Sequence, residues 1–159
     1  MGGPVDNLKL SLRIYGEDLI PEEVSATLGC RPTNSWRKGD PLPSGPRVRR
    51  QSAWFLDAPE KKKGEIDEQI QWLLSRLTPD VRVWKKLNAK FKIDLNAVIY
   101  MVNWNRGFEI SPASMAAISR LGLKVGFDIY YYGDEEPNHS TEPTSPAGTS
   151  AAEHPPRQP

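Results

Sequence analysis

Side chains able to do acid–base, nucleophilic or metal chemistry are few in this sequence, and their spacing does not suit it. Both histidines, His139 and His154, fall in a C-terminal stretch, residues 134–159, that lacks any Leu, Ile, Val, Phe, Trp, Tyr or Met. Residues 1–133 thus offer no imidazole for a Ser-His-Asp or Cys-His arrangement and none to ligate a metal from a rigid element. Cys30 is the single cysteine, so neither an internal disulfide nor a multi-cysteine metal site is expected. Its place just past the Leu28-Gly29 helix end also disfavours a thiolate. Glu17, Asp18, Asp40 and Asp128 have no metal-ligand spacing, and Gly39 and Gly45 do not make a phosphate loop. A small hydrolase or transferase would need a titrating group other than histidine. The expectation is a non-catalytic protein with no cofactor and no metal.

Residues suited to binding are more plentiful. In Ser35-Trp36-Arg37-Lys38-Gly39-Asp40 an aromatic stands beside two cations. Trp36 could stack on a ligand while Arg37 grips a carboxylate or phosphate. Equally, Trp36 could fold a long loop onto the sheet, leaving Arg37 and Lys38 solvated or paired with nearby acids. Arg47-Val48-Arg49-Arg50 would attract phosphates or an acidic protein surface, or be solvated charge that the acidic C-terminal stretch visits. Lys61-Lys62-Lys63 reads as a solvated approach to a helix. A third group is the outward-facing set Arg13, Tyr15, Tyr100, Trp104, Asp128, Tyr130 and Tyr132. An open aromatic sheet is how RNA-recognition domains stack bases, but the glycine-aromatic motif those domains use is absent. The alternative favoured here is that the 31–51 loop or inserted helices cover this face.

The elements that must hold these residues follow from periodicity. Leu8, Leu10, Leu12 and Ile14 alternate with polar residues as a half-buried strand. Pro21 opens a helix that Gly29 ends. Residues 31–51 read as a long basic loop, and 52–57 as a second strand. A helix is predicted from about Glu65 to Leu77. Thr78-Pro79 caps another that runs to about Asn88. A third strand runs from about Phe91 to Trp104 and becomes apolar on both faces, as a central covered strand would. Ser111-Pro112 opens a last helix closed by Gly122, and Leu123 to Tyr131 forms the final strand. Two right-handed βαβ halves around a helical insertion predict an α+β, ferredoxin-like four-stranded sheet.

Composition sets the boundaries. The 159 residues fit one domain, assigned to 1–133. Residues 134–159 hold six of the 15 prolines and five acids against one base, and are expected to be a disordered tail. Segment 31–63 carries nine bases against three acids, so the positive charge of the body is local. No apolar run reaches the ~18–20 residues of a membrane span, and Met1–Asp6 lacks a signal-peptide layout. A cytoplasmic setting with no membrane partner is the expectation.

Gly16-Glu17-Asp18-Leu19 with Ile20-Pro21-Glu22-Glu23-Val24, then Pro32 to Asp40, Gly107-Phe108-Glu109-Ile110-Ser111 and Phe127-Asp128-Ile129-Tyr130, together resemble a bacterial family catalogued as domain of unknown function 4279. The resemblance covers about residues 8–132. It implies a small bacterial α+β domain with no established reaction or cofactor, and carries over no catalytic residue. The functional expectation is a binding module that grips a protein partner through loop 31–51 and the adjoining sheet face. Its candidate contacts are Trp36, Arg37, Lys38, Asp40, Arg47, Arg49, Arg50, Tyr15, Asp128 and Tyr130. Immunity and accessory proteins are the analogous class. Nucleic-acid binding by the same basic loop and aromatic face is the alternative.

Overall fold

The computed structural model describes residues 3–59, 61–62 and 65–133; the stretch 134–159, expected as a disordered tail, lies outside them. In chain order the elements are β1 (Gly3–Pro4), β2 (Asn7–Gly16), α1 (Pro21–Leu28), β3 (Asn34–Trp36), β4 (Ser52–Asp57), β5 (Lys61–Lys62), α2 (Ile66–Ser75), α3 (Val81–Lys90), β6 (Lys92–Met101), β7 (Arg106–Gly107), α4 (Pro112–Arg120) and β8 (Lys124–Tyr131). The main sheet runs β3-β4-β2-β6-β8, with β5 paired to the start of β2, and β1 and β7 form a separate small pair.

The expected elements form, and their ends follow local chemistry. Pro21 and Pro112 sit in the first turns of α1 and α4, where a missing N–H costs nothing. Gly29 and Gly122 take positive φ (74° and 67°) just past the helices they follow, a conformation that glycine adopts without a Cβ clash. Asp80, rather than Thr78, caps α3 and accepts from the Arg82 N–H.

The topology differs from the ferredoxin-like expectation. β2 and β4 are adjacent and antiparallel, with Leu12 opposite Leu56 and Ile14 opposite Trp54, so they are not the two parallel strands of a crossover. The strand that runs parallel to β2 is β3, a three-residue piece inside the expected loop, and β4 lies between them. Asn34–Trp36 is too short to show alternation, which is why the loop reading missed it. The second half is a direct crossover, β6-α4-β8, with β6 and β8 parallel and in register from Asp94–Lys124 to Met101–Tyr131.

The core lies on one side of this sheet. Leu8, Leu10, Leu12 and Ile14 are fully buried together with Trp54, Ile93, Leu95, Ala97 and Ile99, and all are drawn from the same face of their strands. The helices bring Val24, Leu28, Ile66, Ile70, Leu73, Trp84, Leu87 and Ile118 to it. Each such large apolar side chain contributes about 1.5–3 kcal/mol when buried. The tryptophans here have their N–H groups satisfied: Trp54 Nε1 donates to Ser25 Oγ (2.9 Å) and Trp84 Nε1 to the Thr78 carbonyl (2.8 Å).

β4 leaves β2 before the latter reaches its start, and buried Gln69 of α2 fills the gap. Its Oε1 accepts from Leu10 N at 2.9 Å and its Nε2 donates to Leu8 O at 2.8 Å. Asp67, two residues earlier, ties α2 to α4 by accepting the Ser111 N–H with both carboxylate oxygens (3.0 and 3.1 Å). β6 is central, as expected. On its helix-free face Asp94 and Asn96 are buried, but Val98 and Tyr100 further along are only half-buried, because the helices build their core on the opposite side.

Candidate functional site

The helix-free face carries the alternate residues of the same strands: Ser11, Arg13 and Tyr15 of β2, Phe55 of β4, Asp94, Asn96 and Tyr100 of β6, Asp128 and Tyr130 of β8. The inserted helices pack on its other side, and the 31–51 segment meets it at one end through Trp36 and Arg49. The segment extends the sheet edge as β3 and then projects as a hairpin arm. Gly39 N donates to Arg49 O (2.9 Å), Arg49 N to Asp40 O (2.8 Å) and Leu42 N to Arg47 O (2.9 Å), leaving Pro43-Ser44-Gly45-Pro46 exposed at the tip.

Where the arm meets the face, four side chains interlock. Phe55 packs edge-to-face with Tyr15 (centroids 5.2 Å, 82°) and with Trp36 (4.9 Å, 73°). Arg49 lies 4.0 Å over the Trp36 ring, and Trp36 Nε1 donates to Gln51 O at 3.1 Å. Phe55 was not singled out from sequence. The signal lies in its pairing opposite Arg13 and Asn34, which is a matter of register.

The centre of the face is polar and internally paired. Arg13 grips Asp94 with two hydrogen bonds, Nε to Oδ1 at 2.8 Å and Nη2 to Oδ2 at 3.2 Å. The bond to Asp94 holds the guanidinium above its ordinary pKa, against the opposing effect of burial. Burial likewise lifts the Tyr15 phenol, with Arg13 opposing. Ser11 Oγ bonds Asp57, and Asn96 Nδ2 donates to Asp128 Oδ2 at 3.1 Å.

At the far end, about 26 Å along β6 at ~3.3 Å per residue, Tyr100 stacks on both Tyr130 (5.6 Å, 22°) and Tyr132 (5.9 Å, 22°). Tyr130 is 47% exposed and Tyr132 62%. Trp104 does not join this group. It stacks on Tyr131 (4.2 Å), a residue of the opposite side of β8.

The structure therefore divides the sequence candidates. Trp36, Arg49 and Tyr15 come together at one end of the face, and Asp128 and Tyr130 stand near the other. Arg37 and Lys38 turn toward the α1 region: Arg37 Nη2 pairs with Glu22 (2.7 Å) and Lys38 Nζ with Glu17 (2.6 Å). The bond to Glu17 raises the Lys38 pKa and lowers that of Glu17. Asp40 accepts the Arg37 N–H at 2.7 Å and shapes the turn at the arm's base. Arg47 and Arg50 stand exposed on the arm, with no carboxylate within salt-bridge distance among the described residues. Lys61 and Lys62 pair through their backbones with Leu8 and Asn7.

Among the described residues no group of three or more His, Cys, Asp or Glu is placed to hold a metal, and no helix is long and apolar enough to cross a membrane. Cys30 packs beside the core, its thiol directed at the Arg31 carbonyl.

This architecture defines an α+β domain with all its helices on one side of a mixed sheet and an aromatic, polar-centred face on the other. The chain belongs to the DUF4279 family (domain of unknown function), whose family model matches residues 6–132. No curated protein and no solved structure matches it.

Proposed function

We propose that the chain is a non-catalytic binding module of the cytoplasm that engages a protein partner through the open sheet face and the arm beside it. The observation that carries this reading is the solvent-facing Tyr100–Tyr130–Tyr132 stack on a face that no helix covers. Tyrosines supply rigid, amphipathic contact area at little entropic cost, which suits them to anchoring a protein interface. Protein is favoured over nucleic acid because the ring faces a base would stack on are turned toward one another. The Trp36 face is likewise occupied by Arg49. Of the cations, Arg13 is committed to Asp94, Arg37 to Glu22 and Lys38 to Glu17, which leaves Arg47 and Arg50 of the arm without an acidic partner among the described residues. Phosphate recognition would want the first three unpaired as well. An immunity or accessory role is the class of partner-binding work that fits such a surface.

The test is capture from a lysate of the source cells with the full chain as bait, split into nuclease-treated and untreated halves. Parallel baits carry Tyr130→Ala with Tyr132→Ala, or Arg47, Arg49 and Arg50 changed to Glu. One protein retained equally in both halves and lost with the tyrosine bait supports the reading. Capture that vanishes after nuclease or with the arginine changes alone, and falls steeply with salt, overturns it in favour of nucleic acid.

A further inference from the structure

β8 is the outer strand of the sheet, and among the described residues nothing pairs with its free side. Tyr132 N donates to Met101 O at 2.8 Å. Backbone groups alternate along a strand, so the even-numbered residues of β8 face β6 and the N–H and C=O groups of Val125, Phe127, Ile129 and Tyr131 face outward. Those same residues point their side chains toward the helix-bearing side, where Val125 packs against the core but the strand beyond it is left exposed. Phe127 is 41% and Ile129 54% exposed. Phe108 stacks on Phe127 (5.2 Å) and Trp104 on Tyr131, which widens the apolar strip rather than burying it. A long apolar edge with unpaired backbone groups is a template for another strand.

Residues 134–159 are poorly suited to fill it. They contain no large apolar side chain, and Pro137, Pro143 and Pro146 lack the N–H groups a ladder requires. The strand does complement itself. About a two-fold axis at Phe127, antiparallel pairing sets Val125 against Ile129 and Phe127 against its own copy, with the outward-facing backbone groups of these three residues in bonding register; Tyr131 falls opposite Leu123, whose N–H is bonded to the Ile118 carbonyl. On the other face Lys124 falls opposite Tyr130 and diagonal to Asp128, and Gly126 opposite Asp128, so no like charges meet.

We propose that β8 is a homodimer seam, where two copies pair antiparallel about Phe127 and join their sheets into one. This goes beyond the partner-binding reading and does not rest on it. The union places the tyrosine stacks of both copies on one continuous open face.

Sedimentation equilibrium of the full chain tests it. The expected mass is twice that of the chain, falling to one chain with Ile129→Lys while the circular dichroism spectrum is unchanged. A wild-type chain that is monomeric across the micromolar range overturns the proposal, as does a folded Ile129→Lys variant that stays dimeric. Should Ile129→Lys fail to fold, Phe127→Cys in a Cys30→Ser background decides. Rapid oxidative cross-linking at Phe127→Cys, with none for Ser44→Cys at the arm tip, supports the seam. Equal cross-linking of the two, or none at Phe127→Cys, overturns it.

Discussion

The Arg49 guanidinium lies 4.0 Å above the ring of Trp36, on a side chain that projects from the far limb of the same hairpin arm. Trp36 thus has one ring face under a cation, an edge-to-face contact with Phe55 and its N–H on the Gln51 carbonyl. These contacts fix the base of the arm to the sheet. Trp36→Ala is expected to lower stability by ~2 kcal/mol, from an aromatic pair of about 0.5–1.5 and a cation–π contact of about 0.5–1. Arg49→Met should lose less than half as much. Urea unfolding measures both, and limited proteolysis should show faster cleavage between Asp40 and Val48 in Trp36→Ala only.

Gln69 satisfies a donor and an acceptor that β4 leaves open on β2. Gln69→Leu should cost ~2–4 kcal/mol, because two buried backbone groups lose their partners. Gln69→Glu keeps the shape, but its carboxylate would meet the Leu8 carbonyl as a second acceptor. Burial and that contact raise its folded pKa above the unfolded value of ~4.3. Its contribution is then intact below the unfolded pKa and lost as the pH rises through the folded one. The stability gap to wild type should therefore be wide at neutral pH and close toward pH ~4. A gap independent of pH would count against this account.

Asp67 holds the first turn of α4 through Ser111. Burial tends to raise its pKa, but the interaction with Ser111, whose N–H both carboxylate oxygens accept, outweighs it and holds the carboxyl below its ordinary value. With the folded pKa depressed, the stabilisation is present above the unfolded value of ~3.9 and lost as the pH falls through the folded pKa. Asp67→Asn should be less stable than wild type at neutral pH and converge with it in acid. Denaturant titrations across that range measure the convergence.

Tyr15 sits against Phe55 with Arg13 beside it, and burial raises its phenol above the ordinary ~10. An upward shift means the stabilisation is complete below the unfolded pKa and declines as the pH climbs through the folded one. Absorbance titration at alkaline pH should show that Tyr15→Phe removes a phenol with a midpoint above that value. Removal of an ordinary phenol instead would show that Tyr15 is solvated.

Much of this protein was legible locally. Alternation in Leu8–Ile14 identified a strand with one core face, and all four apolar residues are buried. Proline and glycine positions marked α1 and α4, because caps and positive φ are properties of a few adjacent residues. The same period-2 reading placed Tyr130 and Tyr132 opposite Val125 and Phe127. What it could not supply is which strand stands next to which. Antiparallel β4 beside β2, three-residue β3 as the true parallel strand, and β8 at an open edge all rest on hydrogen bonds between residues far apart in sequence. Those pairings decided that Trp36 meets Phe55 and Arg49, that Trp104 leaves the tyrosine face, and that Phe127 and Ile129 of β8 stay exposed. Periodicity assigns a side chain to a face, whereas exposure of that face depends on what the rest of the chain packs against it.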